Sequence, residues 1–314
     1  MERDTNMNEH IKAVLDNVEK IIIGKREPAI LLLTAMLAKG HVLLEDVPGV
    51  GKTQLAASIA HTCDAKFNRL QLTPDVMPSD ITGFTMIHPG SGEMEFRPGA
   101  VFCNFLLADE INRSSPKTQS ALLETMEEGQ LSIDGNTYQL PCPFMVLATQ
   151  NPVETYGTYH LPEAQMDRFL FKVSMGYPTT EEEISILQRD AKAVPSSLQP
   201  VIHCDEISSM QEQVLTVKCH PRIMEYIVHL IRATRESEYL RLGASPRATL
   251  ALYRAGLAYA CINGRDYVLP DDIKYLAPFV LTHRVMLSPK GKSVLETAEN
   301  VIAEILRTIA VPSI

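Results

Sequence analysis

The sequence lacks several features that would place the protein in a membrane or outside the cell. Its first ten residues, MERDTNMNEH, are polar and contain no apolar signal-peptide core. The longest apolar run, AILLLTAMLA at residues 29–38, is too short to span a bilayer. The six cysteines form no C-x-x-C pair, which favours free thiols in a reducing compartment over disulfides or a zinc site. These absences predict a cytoplasmic protein with no membrane insertion.

Basic residues are also in short supply. The 314 residues include 29 Lys and Arg against 38 Asp and Glu, and the formal net charge is −9. Binding to nucleic acid or to an acidic membrane surface requires clustered positive charge. The balance therefore disfavours both kinds of partner, although it leaves room for a local basic groove. With 45% hydrophobic residues, the chain can bury a large core.

Hydrophobic periodicity divides the chain into regions of different character. Short apolar runs, which are typical of buried strands, alternate with helical segments in the first part of the chain. The runs are 41–45, 67–72, 101–109, 144–150 and 169–175. This alternation predicts a parallel α/β sheet, preceded by a short N-terminal helix. The expected organisation is an α/β nucleotide-binding domain over 1–176, a polar connector over 177–201 and a smaller helical domain over 202–314.

The stretch LLEDVPGVGKTQLA, between a predicted strand and a predicted helix, nearly matches the pattern G-x-x-x-x-G-K-[ST]. In such a loop, backbone N–H groups surround phosphate oxygens at a helix N-terminus, the lysine adds positive charge and the hydroxyl binds Mg²⁺. Asp46 replaces the first glycine and adds a negative charge, but the other parts of the pattern are intact. A chance Gly-Lys-Thr in an ordinary turn is the weaker alternative. The binding candidates are Pro48, Gly49, Val50, Gly51, Lys52, Thr53 and Gln54.

Two further predicted strands end in polar side chains. NFLLADE ends in Asp109, which suits a water-mediated contact to Mg²⁺, and in Glu110, which suits activation of an attacking water. VLATQNP places Asn151 where it can hydrogen-bond a water near the γ-phosphate. Alone, these would be a helix cap and an Asn-Pro turn. In this order after a phosphate loop they predict ATP hydrolysis with Mg²⁺, which Thr53 and Asp109 would hold.

These stretches resemble the AAA+ ATPase class and, more closely, the MoxR family. The resemblance rests on LLEDVPGVGKT, LLADEINRSSPKTQSALLETMEEGQ, FMVLATQNPVETYGTYHLPEAQMDRFLF and GASPRATLAL. It extends over roughly residues 20–290. It implies an AAA+ P-loop core with a parallel sheet, followed by a smaller all-helical lid. It also implies that the loop binds ATP despite Asp46, because loops of this family often have Glu-Asp before Val-Pro-Gly.

The resemblance implies roles for residues outside these motifs. Arg168 resembles an arginine finger that reaches the γ-phosphate held by a neighbouring subunit. Arg247 is similar to the sensor-2 arginine of the lid, and Ile23 with Gly24 resembles the segment that contacts adenine. Without the resemblance, Arg168 is better interpreted as a surface arginine or one paired with its neighbouring aspartate. Arg113 is a further candidate for the subunit interface.

Two insertions mark the subclass that the sequence resembles. Residues 84–100 are similar to the helix-2 insert, and residues 129–142 are similar to the pre-sensor-1 hairpin, with Asp134-Gly135 as a turn signal. In such motors these elements often face a central pore or a partner; two exposed loops are the alternative. Residues 129–142 contain no Lys or Arg, which counts against a hairpin that grips DNA.

The resemblance implies an ATP-hydrolysing motor that assembles as a homo-oligomer, expected as a hexameric ring. The implied role is chaperone-like remodelling or maturation of protein complexes, including metal-cofactor insertion, with a separate partner that carries a von Willebrand factor A domain. The alternatives are a nucleic-acid-dependent ATPase of the helix-2-insert clade and a non-hydrolysing, nucleotide-gated scaffold. A small-molecule kinase fits less well, because Asp109, Glu110 and Asn151 suit the activation of water.

Overall fold

The computed structural model of the chain describes residues 7–87, 90, 93–151, 159–188 and 194–312. Parts of five predictions lie outside these ranges. They are the polar start (1–6), the tip of the first insertion (88–89 and 91–92), the segment after Asn151 (152–158), the middle of the connector (189–193) and the end of the helical region (313–314).

The described residues form a central sheet, three small two-stranded sheets and a set of helices. The strands, in chain order, are β1 (Val42–Glu45), β2 (Phe67–Gln71), β3 (Gly83–Ile87), β4 (Met94–Pro98), β5 (Phe105–Asp109), β6 (Gln130–Ile133), β7 (Asn136–Gln139), β8 (Met145–Gln150), β9 (Phe171–Val173), β10 (Leu240–Leu242) and β11 (Met286–Leu287). The helices are α1 (Glu9–Glu19), α2 (Arg26–Leu37), α3 (Lys52–Thr62), α4 (Pro78–Thr82), α5 (Pro116–Glu128), α6 (Glu163–Met166), α7 (Thr180–Leu187), α8 (Cys204–Val214), α9 (Pro221–Glu236), α10 (Pro246–Ile262), α11 (Pro270–Leu281), α12 (Pro289–Val294) and α13 (Ala298–Thr308).

The central sheet has the strand order β2-β5-β8-β1-β9, and all of its pairings are parallel. Successive residues of its strands point to opposite faces and so divide between two hydrophobic cores. On β5, Phe105 and Leu107 belong to the larger core, whereas Leu106 and Ala108 belong to the smaller one. Because both faces are covered, the inner strands β1, β5 and β8 are largely continuous apolar runs in the sequence. The edge strand β2, predicted as a buried strand, has no buried residue. All five predicted strands of the sheet are confirmed.

The apolar run at residues 29–38 forms a helix that is buried on nearly all sides. Every residue from Leu31 to Leu37 of α2 is buried. The helix packs against α1, against β9 and against α8 and α10 of the helical region. A helix that is apolar all round must be buried in a protein core or in a membrane, and here the protein itself covers it. Among the helices that the structure describes, none is long and apolar enough to cross a bilayer.

The helical region follows its sequence pattern closely. α9 buries an apolar stripe at helical spacing, which is Ile223, Tyr226, Ile227, Leu230 and Ile231. α10 begins after its N-cap residue, Ser245, and ends before Asn263 and Gly264, where the left-handed φ of 65° at Gly264 is typical of a helix end. The predicted fold class, a parallel α/β sheet followed by a smaller helical region, is confirmed.

The two predicted insertions are antiparallel hairpins that pack on each other. β3 pairs with β4, and β6 pairs with β7 through a turn at Asp134 (φ 50°) and Gly135 (φ 81°). Phe96 of β4 stacks on Tyr138 of β7 with 4.0 Å between the ring centroids, and Phe102 meets both rings edge-on. The insertions therefore form one structural unit beside the sheet.

A buried histidine ties the amino ends of β1 and β8 to the end of α5. The Nδ1 atom of His41 accepts a hydrogen bond from the backbone N–H of Val146 at 3.0 Å. Its Nε2 atom lies 2.8 Å from the carbonyl oxygen of Met126, to which the neutral ring donates. Burial lowers the pKa of His41 to about 4, although the Met126 carbonyl acts in the opposite direction. The ring is therefore neutral in the folded protein at pH 7.

We expect acid to destabilise the fold through His41. Its folded pKa of about 4 lies below the ordinary value of 6.5, so the unfolded chain takes up a proton that the folded chain does not. The stability is fully present above pH 6.5 and falls as the pH drops toward 4, by up to about 1.4 kcal/mol per pH unit. Urea unfolding at pH 7.5 and pH 5.0 measures the loss.

The matched variant is His41→Gln, whose amide can make both contacts but does not titrate. It should lose roughly 2 kcal/mol less than the native chain over this pH interval. His229→Gln, at an exposed position of α9, should leave the loss unchanged. Equal losses in the native and His41→Gln chains would show that His41 does not set the acid response.

Candidate functional site

The carboxyl ends of β1, β5 and β8 meet at one edge of the parallel sheet and enclose a cavity of about 440 Å³. Ligands of open α/β sheets bind at this edge, where connections leave neighbouring strands in opposite directions. Lining residues come from the loop after β1, from β2, and from the ends of β5 and β8. They are Pro48, Gly49, Gly51, Lys52, Thr53, Gln54, Arg69, Gln71, Asp109, Glu110, Thr149 and Asn151.

The loop after β1 has the backbone conformation that a phosphate loop needs. Gly49 and Gly51 adopt positive φ angles of 86° and 92°, which L side chains rarely take. Gly51 is the N-cap of α3, so the helix begins at Lys52 with its free N–H groups directed toward the cavity. A Cβ at Gly51 would also lie 3.0 Å from the side chain of Ile22. The φ angle therefore favours glycine at Gly51, and a side chain there would also have to displace Ile22.

Asp46, which departs from the general loop pattern, is a buried anchor. Its side chain accepts hydrogen bonds from the backbone N–H groups of Val47, Met175 and Gly176 and from the hydroxyl of Ser174. Burial alone would raise the pKa of Asp46, but these bonds outweigh it and hold the pKa below its ordinary value. The carboxylate thus fastens the phosphate loop to the chain that leaves β9.

A buried lysine holds the same segment from its other side. The Nζ atom of Lys25 donates to the carbonyl oxygens of Met175 and Gly176 at 2.9 and 3.0 Å. The segment after β9 therefore has its N–H groups bound to Asp46 and its carbonyl groups bound to Lys25. This arrangement fixes the point at which the chain leaves the sheet toward the predicted connector.

Lys52 lies among three carboxylates. Its Nζ atom donates to the backbone carbonyl of Asp46 at 2.8 Å. Burial lowers the pKa of Lys52 below its ordinary value, although the charges of Asp46, Asp109 and Glu110 act in the opposite direction. The amine thus hydrogen-bonds a neutral carbonyl oxygen and lies near three carboxylates. An anionic ligand in the cavity would give it a direct counter-charge.

Asp109 ends β5 with both carboxylate oxygens engaged. Its Oδ1 atom accepts from the hydroxyl of Thr149 at 2.5 Å. Its Oδ2 atom accepts from Nε and Nη2 of Arg69, at 3.2 and 2.7 Å. Thr149 is almost fully buried on β8, so it fixes the carboxylate against the neighbouring strand.

Glu110 follows Asp109 in a left-handed conformation with a φ of 57°. Its backbone N–H donates to the hydroxyl of Thr149 at 2.8 Å, which stabilises this uncommon turn. Its carboxylate accepts from the Gln71 amide at 2.8 Å and from Arg113 at 3.0 Å. Asn151, just beyond β8, is buried and lines the same cavity. The structure therefore brings Lys52, Glu110 and Asn151 together, as predicted.

The oxygen atoms of this cavity fit a magnesium ion. Mg²⁺ prefers oxygen ligands and usually binds through one or two protein groups together with phosphate oxygens and water. The hydroxyl of Thr53 and the carboxylate of Asp109, which line one cavity, are groups of this kind. In the described part of the chain no cluster of three or more His, Cys, Asp or Glu side chains could hold a metal by itself. A magnesium ion held jointly with a nucleotide does not require one.

Arg168 and Arg247 lie at the opposite edge of the sheet from this cavity. They line a second cavity of about 320 Å³ together with Gly40 and His41, which precede β1. Both arginines form ion pairs with Glu127 near the end of α5; the Nε atom of Arg168 is 3.2 Å from Oε2. The four residues of β1 separate the two edges by roughly 13 Å. The structure thus brings Arg168 and Arg247 together, but not to the phosphate loop of their own chain.

The residue before Arg168 is bound to the helical region. Arg284, which is 6% exposed, donates from Nε to Oδ1 of Asp167 at 2.6 Å and from Nη2 to its backbone carbonyl at 3.0 Å. The hydroxyl of Ser245 donates to Oδ2 of Asp167 at 2.7 Å. Ser245, the N-cap residue of α10, uses its side chain for this bond instead of for the helix. The residue next to Arg168 is therefore bound to the N-cap of α10, the helix that carries Arg247.

Ile23 and Gly24 lie beside the loop rather than in the cavity. Gly24 has a φ of 71°, and a Cβ there would overlap the carboxylate of Glu182 on α7. The preceding Ile22 contacts the loop at Gly51. An adenine contact at Ile23 and Gly24 stays a prediction.

The sequence analysis missed four polar residues that line the two cavities: Arg69, Gln71 and Thr149 in the first, and Glu127 in the second. Arg69 and Gln71 alternate on β2 in the run FNRLQL, and this alternation was the available signal, because two charged or polar side chains on one face of a strand need a polar environment. Nothing in the sequence pairs Glu127 with either arginine.

The strand order, the phosphate loop after β1 and the acidic pair after β5 define an AAA-type ATPase domain followed by a lid. Residues 41–171 match the ATPase family associated with various cellular activities (AAA), and residues 232–305 match the AAA lid domain. A crystal structure of a candidate ATPase from Cytophaga hutchinsonii superposes with a TM-score of 0.89 at 39% identity, covering 97% of this chain and 95% of that one.

The chain belongs to the MoxR family of AAA+ ATPases. Over 313 residues it is 41% identical to Chaperone MoxR1 of Mycobacterium tuberculosis, covering 97% of this chain and 83% of the relative. It is 52% identical over 302 residues to the uncharacterized protein YeaC of Bacillus subtilis, covering 96% of this chain and 94% of that protein.

We expect Asp46→Gly to destabilise the protein even though it restores the general loop pattern. The change removes a carboxylate that accepts four hydrogen bonds, and it leaves the N–H groups of Met175 and Gly176 without their partner. The expected loss is about 2–4 kcal/mol in the free energy of unfolding at pH 7. Urea unfolding measures it.

The control is Asp134→Gly, the same substitution in the exposed turn of the second hairpin, where φ is already 50°. It should change the stability by less than about 0.5 kcal/mol. If the two glycine variants were equally stable, Asp46 would have no anchoring role.

Proposed function

We propose that the protein is an ATP-hydrolysing motor whose active site is completed by a neighbouring copy of the same chain. The observation that carries the proposal is the meeting of Lys52, Asp109, Glu110 and Asn151 in one cavity beside the phosphate loop. The likeness to Chaperone MoxR1 supports a chaperone-like role. The reaction is hydrolysis of ATP to ADP and phosphate.

Each residue has a distinct part in this proposal. The amides of Gly49 to Gly51 and the Lys52 amine bind the phosphates, and Thr53 and Asp109 hold Mg²⁺, which neutralises phosphate charge when it is bound. Glu110 polarises the attacking water, and Asn151 orients it. In the structure Glu110 is bound to Gln71 and Arg113. Both bonds end on Oε2, so Oε1 is the oxygen that can accept from the attacking water.

The position of Arg168 supports a shared site. Its ion pair with Glu127 lies at the amino edge of the sheet, whereas the phosphate loop follows the carboxyl end of β1. An arginine side chain spans roughly 7 Å, about half the estimated separation of these edges. Arg168 therefore suits the γ-phosphate of an adjacent subunit, where an arginine finger contributes about 10³–10⁵ in rate.

Arg247 shares this position, and we infer that it also acts on the neighbouring subunit. It pairs with the same Glu127 and lines the same cavity as Arg168. A sensor-2 arginine that acted within its own chain would have to cross to the opposite edge of the sheet. Asp167, the neighbour of Arg168, is bound to Ser245 and Arg284 of the lid. Because Ser245 is the N-cap of α10, which carries Arg247, the two arginines are connected through the start of this helix.

The biological role that we propose is remodelling or maturation of protein complexes, metal-cofactor insertion among them, in a hexameric ring. A separate protein with a von Willebrand factor A domain would be the partner. The packed unit of two hairpins is the element best placed to meet a client, since Ile87 and Met94 beside its tip are exposed. The second hairpin has no basic residue between 129 and 142, which disfavours a nucleic-acid substrate.

We expect Arg168→Ala and Glu110→Gln to be inactive alone and active as a mixture. In the mixture, an intact site of the Arg168→Ala subunit receives a finger from an adjacent Glu110→Gln subunit. Phosphate release measured over a range of total protein concentrations should show turnover per subunit rising with concentration for the native chain. The mixture should recover roughly a quarter of the native rate, because about that share of interfaces would combine two intact halves.

A rate per subunit that is independent of concentration, with normal turnover in Arg168→Ala, would refute the shared site. Arg307→Ala, at an exposed position of the last helix, is the control for loss of an arginine and should keep the native rate.

The same mixing experiment decides where Arg247 acts. We expect Arg247→Ala to lose activity alone and to regain it when mixed with Glu110→Gln, because the second chain supplies Arg247 to the first chain's intact site. If Arg247 instead acted on the nucleotide of its own chain, neither subunit in the mixture would hold a complete site, and phosphate release would stay at background. Recovery with Arg168→Ala but not with Arg247→Ala would therefore assign the two arginines to different chains.

A further inference from the structure

We propose that Arg69 is a placeholder for the magnesium ion: it binds Asp109 before the metal does and is displaced when the metal–nucleotide complex enters. The proposal rests on the proposed nucleotide-binding function and assigns to that site a residue with a regulatory part in metal binding. It begins from a contact that the hydrolytic mechanism does not use.

The contact between Arg69 and Asp109 is specific in its geometry. Two nitrogens of the guanidinium, Nε and Nη2, converge on the single atom Oδ2 at 3.2 and 2.7 Å. Nη2 also donates to the side-chain oxygen of Gln71 at 3.1 Å. Gln71 in turn donates to Glu110 at 2.8 Å. One face of the edge strand β2 thus holds both carboxylates that follow β5.

The oxygen that Arg69 binds is the one that a metal would need. Oδ1 of Asp109 is committed to the buried hydroxyl of Thr149 at 2.5 Å. Oδ2 is bound by the half-exposed Arg69 instead of by a buried group, so it is the oxygen that an incoming cation can take over more easily. A metal ion, or a water on that ion, that takes Oδ2 competes directly with Arg69. A guanidinium and a divalent cation repel each other at such distances, so occupation by one disfavours the other.

The charges of the cavity explain why a placeholder is useful. Lys52 faces Asp46, Asp109 and Glu110, and Arg113 forms an ion pair with Glu110. Without a further cation, the carboxylates would repel the phosphates that the loop must bind. Arg69 supplies that charge on the side of Asp109. Its side chain is half exposed, so it can leave the carboxylate for solvent at low cost.

The test measures how strongly the metal enhances nucleotide binding. The dissociation constant of fluorescently labelled ADP is determined by anisotropy in EDTA and in an excess of free Mg²⁺ over protein and nucleotide. The metal enhancement is the dissociation constant in EDTA divided by the dissociation constant in Mg²⁺. For Arg69→Met, which removes the competitor, we expect the ratio to exceed the native ratio by roughly threefold to tenfold, the range of one partly exposed charge-assisted pair.

Two further variants make the outcome decisive. Arg69→Gln removes the charge but keeps a polar side chain on the edge strand, so it should raise the ratio as Arg69→Met does. Arg97→Met removes an arginine that pairs with Glu95 on the exposed hairpin, and it should keep the native ratio. A ratio in both Arg69 variants that equals or falls below the native one overturns the proposal. If the native chain bound labelled ADP in neither buffer, the proposed function itself would fail instead.

Discussion

All five strands of the central sheet run in the same direction, and the other functional features depend on this polarity. The three strand ends that carry Asp46, Asp109 and Asn151 meet at the carboxyl edge because parallel strands must end together. The same rule sends the chain that precedes β9, with Arg168, to the amino edge. One chain therefore contains both halves of the proposed hydrolytic site but holds them at opposite edges of one sheet. Only a second chain can join them without unfolding the first, which makes assembly a geometric requirement of the proposed chemistry.

The carboxylates at the carboxyl edge are each satisfied by partners from this chain. Backbone amides bind Asp46, Arg69 binds Asp109, and Gln71 binds Glu110. Asp46 itself is buried, whereas Arg69 and Gln71 come from the edge strand β2. That strand also reaches the root of the hairpin unit, since the amide of Asn68 donates to the carbonyl of Ala100 at 2.8 Å. The hairpin unit is therefore hydrogen-bonded to the strand whose side chains bind the acidic pair.

The extent to which this molecule can be predicted from its sequence follows from what each pattern encodes. Strands β1, β5 and β8 are buried on both faces, so continuous apolar runs identify them, and parallel order then brings Lys52, Glu110 and Asn151 together. The function of Asp46 could not be inferred, because its partners, at positions 174–176, lie about 130 residues away in the chain. Arg69 was only partly predictable: the alternation in FNRLQL indicates a polar face of the strand, but it does not identify Asp109 as the partner of Arg69.

The lid is joined to the sheet more firmly than a separate second domain would be. α2 lies buried between β9 and the helices α8 and α10, and residues of the sheet, of α2 and of the lid belong to one continuous core. Arg284 and Ser245 of the lid hold Asp167, which is adjacent to Arg168. Any rotation of the lid must therefore carry Arg168 with it or break a buried ion pair, and breaking such a pair costs about 3–5 kcal/mol. In the proposed assembly, the lower-energy course is for Arg168, Arg247 and the lid to move as one body against the adjacent subunit. Nucleotide binding in one chain would then be felt in the next through the position of these two arginines.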